Sequence, residues 1–463
     1  MFGFLMINGW RAYVAPVLGG TLGCLLAIFV PPSADGDTNV NSLDWRISFV
    51  GTSAFVVLSI AIYRVAPLWE RPVAHVALLG IMSGFVTYQV MRGGRDRVVV
   101  TQILVVAAVT YWVPQLVFPA GLRGSDTETL LPVAVQIAQI GIVPEGAFYA
   151  KTPGHMVYTA MGGMLFGIDT STMYYALSYV PIIVAIGLIS VSHRYISTLS
   201  RQYSHLAGYF TAFSAFTLRR GQFVAKLTFF TAFLVLVGYG VFWMRSKQGR
   251  TRWLILIGTG WIALLISHTY SSWAALFVAI LIVTIHEVYR KADSYAMSSN
   301  HIRLIPVFLA AMGVAYVGYA LEMNTIFITA IGDLLSGLIG SSPSSSGAVG
   351  GGGRYSDLPL NVVAISTASQ FLMFLLAGFG INVGLQQREW TFDSFFVVFI
   401  AGIGMIFLSL IVSGVAIPTP RIYWLILIFG LNVFMAVGVL TLNTQLPGGI
   451  RRLFVPTVVS VFV

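Results

Sequence analysis

The chain has 463 residues, of which 57% are hydrophobic and only 9% are charged. Soluble globular domains carry roughly 25% charged residues, so this composition excludes an ordinary soluble domain and indicates that lipid surrounds most of the chain. The formal net charge of +10 does not point to a nucleic-acid partner, because most arginines and lysines stand in short segments between apolar runs. Basic residues in such positions carry information on membrane topology.

Apolar runs of about 18–25 residues recur along the chain, each long enough to cross a hydrocarbon core of about 30 Å as a helix. Helices satisfy their own backbone hydrogen bonds in lipid, so the sequence predicts an all-α, polytopic transmembrane bundle of about 13 spans. Residues 1–97 are expected to form N-terminal transmembrane helices, and residues 98–463 a transmembrane core. The predicted spans are 12–31, 47–66, 73–91, 98–119, 172–192, 204–218, 222–244, 252–268, 271–289, 303–321, 361–381, 392–413 and 421–441.

Basic loops predict which ends of these spans face the cytoplasm. Arginine, lysine and histidine cluster at 92–97, 193–203, 245–252, 290–303, 388 and 451–452, and the positive-inside rule places such loops in the cytoplasm. The loops at 120–171 and 322–360 then face outward. This alternation requires that 155–168 does not cross, and about 14 residues of helix reach only about 21 Å. We therefore expect an interfacial helix there.

The first outer loop carries the acidic residues of greatest interest. Ser125 can cap a helix that starts at Asp126, and Glu128 stands where a capping box requires an acidic or amide side chain. From residue 130 onward the segment is amphipathic, so it is expected to lie along the membrane surface. This arrangement holds Asp126 at the mouth of the bundle. The alternative interpretation is that Asp126 only caps the helix.

This loop resembles the first outer loop of the GT-C glycosyltransferases, which use polyprenyl-phosphate-linked sugars and include protein O-mannosyltransferases and lipid A aminoarabinose transferases. The resemblance covers roughly residues 98–205 and implies that Asp126 is a catalytic base or a metal-linked carboxylate. The acidic pair, adjacent in that superfamily, is split here into Asp126 and Glu128, and the resemblance makes both of them candidate catalytic residues. The resemblance rests on Asp126 after a predicted span, Gly141-Ile-Val-Pro144, Tyr149, Pro153 and Met161-Gly-Gly-Met-Leu-Phe166-Gly167.

Three basic residues are candidates for binding the phosphate of a lipid-linked donor. Arg219 and Arg220 stand between two predicted spans on the outer face, and Lys226 lies just inside the next span. Arginine binds phosphate oxygens in a bidentate geometry, and such cations neutralise a leaving phosphate. The alternative for all three is that the side chains extend to lipid headgroups without a catalytic role.

Further candidates for substrate binding are His155, beside Pro153, and the segment His268-Thr-Tyr270, both in predicted outer loops. Arg354 belongs to the only charged cluster of the late outer loop, which can cover the site as a lid. An interfacial aromatic belt and a solvated linker are the alternatives. Whether the site uses a divalent cation is left open, because no ligand spacing within one helix supports it.

The sequence therefore predicts a multi-pass membrane glycosyltransferase that moves a sugar from a polyprenyl-phosphate-type donor to a glycan, lipid or protein acceptor on the extracytoplasmic face. The expected partners are the lipid bilayer, this donor and the acceptor. A secondary transporter is an alternative that calls for inverted repeats and charges in the middle of the membrane. An O-antigen polymerase or ligase-like enzyme, and a non-catalytic membrane scaffold, are further alternatives.

Overall fold

The computed structural model describes residues 21–22, 44–67, 72–117, 127–146, 150, 152–214, 231–246, 250–267, 269–292, 310–315, 317–318, 360–387, 389–411 and 430–462. The residues in these ranges form helices and connecting turns, and none of them forms a β-strand. The predicted all-α helical bundle is confirmed at this level.

The helices are numbered here in chain order. They are α1 (Trp45–Val65), α2 (Val73–Met91), α3 (Asp96–Trp112), α4 (Thr127–Ile140), α5 (Gly154–Phe166), α6 (Thr170–Ser178), α7 (Val180–Ser190), α8 (Arg201–Phe213), α9 (Thr231–Ser246), α10 (Arg250–Ser267), α11 (Thr269–Ala292), α12 (Leu360–Gln386), α13 (Trp390–Ile411), α14 (Asn432–Gln445) and α15 (Gly448–Phe462). A 3-10 turn at Val113–Val117 extends α3, and another at Ser192–Arg194 follows α7.

Four helical stretches in the described ranges are long and apolar enough to cross a membrane, namely Trp45–Val65, Val73–Met91, Asp96–Val117 and Thr170–Ser190. They correspond to the predicted spans 47–66, 73–91, 98–119 and 172–192. The prediction of about 13 spans is not supported beyond these four, because each of the other apolar helices is described, side chains included, over only 10–17 residues. Several predicted spans, such as 12–31 and 303–321, lie largely outside the described residues.

The N-terminal helices show why lipid is the expected surroundings of the bundle. On α1, Phe49 is 66% exposed and Val57 is 64% exposed. Its uncharged polar residues turn inward instead, where the Gln102 amide of α3 donates hydrogen bonds to the Ser48 carbonyl (3.2 Å) and the Thr52 hydroxyl (3.0 Å). A helix in a membrane presents apolar side chains to lipid and keeps its polar groups hydrogen-bonded inside the bundle, and α1 follows this distribution.

The fourth candidate span is interrupted between α6 and α7. Pro181 stands in the first turn of α7 and has no N–H to donate to the preceding turn, so the helix breaks at Tyr179. The break is packed rather than open, because the Tyr179 ring lies 6.2 Å from the Tyr111 ring and 5.7 Å from the Trp112 ring of α3. The Tyr175 hydroxyl also donates to the Trp112 carbonyl.

Helix α5 covers the segment that was expected not to cross. It has 13 residues and ends at Gly167, whose φ of 63° lies in the left-handed region that glycine adopts readily. A helix of this length reaches about 20 Å, which is short of a hydrocarbon core of about 30 Å. Its outer face exposes Met161, Leu165 and Phe166, as expected for a helix at an interface with lipid.

Two pairs of helices meet through glycine. In the crossing of α12 and α14, a Cβ atom built at Gly380 would lie 2.7 Å from the Phe434 carbonyl carbon, and one at Gly438 would lie 3.1 Å from the Gly380 nitrogen. Helix α15 was not among the predicted spans, and it packs on α2, where a Cβ at Gly84 would lie 2.6 Å from the Ser460 hydroxyl. Small residues permit such close backbone approach between membrane helices.

Candidate functional site

Most residues of the predicted site lie outside the part of the chain that the structure describes. Glu128 and Tyr270 are described as helical backbone, in the first turns of α4 and α11 respectively. His155 is the one candidate with a described side chain. The candidates outside the described residues are Asp126, Arg219, Arg220, Lys226, His268 and Arg354.

His155 lies in the first turn of α5 and is fully buried. Its Nε2 atom is 3.3 Å from the Ser178 hydroxyl of α6, and its ring centroid lies 4.9 Å from that of Tyr174. The Ser178 hydroxyl in turn donates to the Tyr174 carbonyl. His155 thus holds α5 against α6, and it can contact a substrate only if these two helices separate.

A close contact joins the start of α5 to the end of α10. A Cβ atom built at Gly154 would lie 3.1 Å from the Ser267 Cα atom and 3.2 Å from the Ile266 carbonyl oxygen. No larger residue fits at Gly154 without moving α10. The contact brings His155 beside the junction of α10 and α11, which carries Tyr270.

Helix α4 completes this group of segments. It packs on both α5 and α6 through a buried stripe that includes Leu130, Ala134 and Ile137, at the spacing of one helix face. The segments that carry Glu128, His155 and Tyr270 therefore belong to one cluster of helices. We call the cluster of α4, α5, α6 and the α10–α11 junction the α5 end of the bundle.

The opposite end of α10 marks the other end of the bundle. There the ring of Tyr195, just after α7, lies 5.1 Å from Trp243 of α9 and 5.6 Å from Trp253 of α10. Trp253 and Ser267 are separated along α10 by about 21 Å, at 1.5 Å per residue. The connection after α7 and the α9–α10 connection therefore lie together, away from the α5 end.

An ionic cluster occupies this second end, and the sequence analysis did not anticipate it. Asp96 is the first residue of α3. One of its carboxylate oxygens lies 3.1 Å from His193 Nε2 and 3.2 Å from Arg194 Nη2. The other oxygen lies 2.7 Å from Arg201 Nε and 3.6 Å from His205 Nε2 of α8. We call these five residues the Asp96 cluster, and the end that carries them the Asp96 end.

Burial within the Asp96 cluster is graded. The side chain of His205 is 1% exposed and that of Asp96 is 15% exposed, whereas those of Arg194 and Arg201 are about half-exposed, at 48% and 50%. One carboxylate thus fixes two arginines at the rim of the bundle. Chemically the cluster is a tie between α3, the turn after α7, and α8, and its rim is cationic.

The sequence contained one signal for this cluster. Asp96 is an acid between Arg95 and Arg97, inside a loop interpreted only for its positive charge. A single acid among cations at a helix start is a candidate ion-pair partner for another basic loop at the same end. Its four partners follow about 100 residues later in the chain, and spacing within the sequence does not predict them.

The question of a metal ion stays open at the predicted site. Within the described ranges, no group of three or more His, Cys, Asp or Glu side chains is arranged to hold an ion. Asp126 and His268, two candidates of the predicted site that could ligate an ion, are not among the described residues.

No protein-family model matches the chain, and a search of curated proteins finds no match. The likeness of the first outer loop to GT-C glycosyltransferases therefore rests on the residues of that loop alone.

Proposed function

We propose that the chain is a multi-pass membrane glycosyltransferase that transfers a sugar from a polyprenyl-phosphate-type donor to a glycan, lipid or protein acceptor on the extracytoplasmic face. The observation that carries the proposal is the contact of Gly154 with Ser267. It joins the loop that begins with Asp126 to the junction that carries His268 and Tyr270, although more than 100 residues separate them in the sequence. A catalytic site assembled from separate loops needs such a contact.

In this proposal the residues divide the chemistry between them. Asp126 withdraws the proton from the acceptor hydroxyl, or orients an acceptor amide, as the acceptor attacks the sugar. The donor phosphate leaves with the electron pair of the broken bond, and Arg219 and Arg220 neutralise its charge. Glu128, at the third position of the capping box, supports the helix that carries Asp126.

The arrangement of the two ends supports the orientation that the proposal needs. Two basic loops assigned to the cytoplasm, at 92–97 and 193–203, meet at the Asp96 end, and Trp243 and Trp253, which flank the third basic loop at 245–252, lie beside Tyr195 there. The segments that carry Glu128, His155 and Tyr270 lie at the α5 end. If the basic loops face the cytoplasm, the site faces the outside.

The test is sugar transfer by purified protein with a lipid-linked sugar as donor. We expect Asp126→Asn to lower the rate by about 10²–10⁴, because the amide keeps the size of the side chain but cannot accept the proton. Glu128→Gln is the matched control. The Gln amide can still serve the capping box, and even complete loss of the cap would lower the free energy of unfolding by only about 1 kcal/mol without removing the catalytic base. Wild-type turnover by Asp126→Asn would contradict the proposal and leave Asp126 as a helix cap.

A further inference from the structure

A groove runs between α11 and the helical segment 310–315, on the side of the bundle rather than at its α5 end. Its volume is about 610 Å³. Leu276 and Val283 form a buried floor, and Ile280 and Val288 are 43% and 55% exposed at its edge. Segment 310–315 approaches closely at Gly313, where a Cβ atom would lie 3.9 Å from the Leu276 side chain.

The groove has two chemically different parts. From Leu276 to Thr284 its wall on α11 is apolar apart from the Thr284 hydroxyl, which donates within the helix to the Ile280 carbonyl (2.8 Å). Glu287 and Lys291 line its far end. These two residues are one helical turn apart, so both stand on the same face of α11.

The length of the groove suits one acyl chain of a membrane lipid. From Leu276 to Lys291 the groove follows 15 residues of α11, or about 22 Å, which exceeds half of a hydrocarbon core of about 30 Å. An acyl chain along the apolar wall therefore brings its headgroup to Glu287 and Lys291. Because one cation and one anion stand there together, a zwitterionic headgroup complements them better than an anionic one.

We propose that this groove binds one molecule of phosphatidylethanolamine. The Lys291 ammonium binds the lipid phosphate, and the Glu287 carboxylate accepts a hydrogen bond from the primary ammonium of ethanolamine. Choline carries a quaternary ammonium without an N–H, so phosphatidylcholine lacks the second interaction. The headgroup end of α11 is about 31 Å along the helix from Tyr270, so this site is separate from the proposed donor site.

The experiment reconstitutes the full chain in nanodiscs of equal parts phosphatidylethanolamine, phosphatidylcholine and phosphatidylglycerol, releases it in mild detergent, and identifies retained lipid by native mass spectrometry. Wild type is expected to retain one phosphatidylethanolamine. Lys291→Gln is expected to lower retention of phosphatidylethanolamine and of phosphatidylcholine by about tenfold, through loss of the phosphate contact. Glu287→Gln is expected to remove the preference for phosphatidylethanolamine over phosphatidylcholine while some lipid stays bound.

Two variants test the groove itself. Ala310→Leu and Gly313→Trp fill the groove from the 310–315 side and are expected to abolish lipid retention. Size-exclusion chromatography shows whether either variant is misfolded, and the other variant then still tests the groove. The matched controls on α10 are Ile255→Trp, at a residue that is 63% exposed, and Arg252→Gln, at an exposed cation of the Asp96 end. Both controls are expected to retain the lipid as wild type does.

Three results would overturn the proposal: no retained lipid in wild type, retention that survives both groove-filling variants, or preferential retention of phosphatidylglycerol. Sugar transfer is measured on the same preparations, and Lys291→Gln is expected to leave it unchanged. Failure of lipid retention and failure of the proposed transfer activity are therefore separate observations.

Discussion

At the scale of single residues, Asp96 is the described side chain on which most charges converge. Two arginines and two histidines contact its two oxygens. Removing the carboxylate leaves Arg194 and Arg201 beside each other without an anion, and it leaves the buried His205 facing them. Removing one partner of a buried ion pair lowers the free energy of unfolding by more than the intact pair adds to it, because the remaining charge stays buried without a partner.

We predict that Asp96→Asn lowers the free energy of unfolding by about 1–3 kcal/mol. This range lies between the values for exposed and buried ion pairs, because Asp96 is largely buried while both arginines are half-exposed. The measurement is thermal unfolding of the purified chain in detergent. The control is Glu145→Gln, at an exposed carboxylate in a loop, for which no change is expected. Equal stability of wild type and Asp96→Asn would show that the cluster contributes nothing to stability.

At this scale, the sequence did not predict contacts between side chains that are far apart along the chain. The sequence identified His155 as a candidate for substrate binding, but not that Ser178 and Tyr174 enclose it. Those contacts depend on how α5 folds back on α6, and no local pattern encodes the fold-back angle. The Asp96 cluster was not predicted for the same reason, because the four basic residues around Asp96 lie in the turn after α7 and in α8.

At the scale of the helix, glycine decides which pairs approach closely. Gly438→Ala, in the crossing of α12 and α14, is expected to destabilise the protein by about 1–3 kcal/mol, because the added methyl group meets the backbone of the other helix rather than a flexible side chain. The matched control is Gly404→Ala in α13, where no atom lies within 4 Å of the added Cβ. That variant is expected to be neutral or stabilised by up to about 1 kcal/mol through helix propensity. Similar unfolding temperatures for both variants would contradict the close crossing.

Helix boundaries were the part of the fold that the sequence predicted best. The predicted span 73–91 coincides with α2, and 252–268 lies within two residues of α10. Both follow from an apolar run that ends in charged or proline residues, which is a local signal. The break at Tyr179 was missed, because Pro181 falls inside an apolar run of ordinary length. Helix α15 was missed because Arg451 and Arg452 occupy its first turns.

At the scale of the whole molecule, the two ends of the bundle differ in chemistry. The Asp96 end combines ion pairs with the aromatic group around Tyr195, and the α5 end is held by the buried His155 and the contact at Gly154. This polarity predicts that the two ends face opposite compartments.

Cysteine labelling tests this prediction in a Cys24→Ser background, because Cys24 is the only cysteine of the chain. We expect Ile142→Cys, in the predicted outer loop, to react with a membrane-impermeant maleimide in intact cells, and Arg252→Cys to react only after permeabilisation. Both positions are exposed on the surface of the protein. Reaction of Arg252→Cys from outside would invert the orientation and place the proposed site in the cytoplasm.

The Asp96 cluster also imposes an order on biosynthesis. His193 and Arg194 follow Asp96 by 97 and 98 residues, so at about 5–20 residues per second the carboxylate waits about 5–20 s for its first cations to leave the ribosome. During that interval α3 carries an acid at its end without the partners of that acid. A nascent chain that stops before His193 therefore displays a carboxylate without any of these partners, which distinguishes an unfinished product from a finished one.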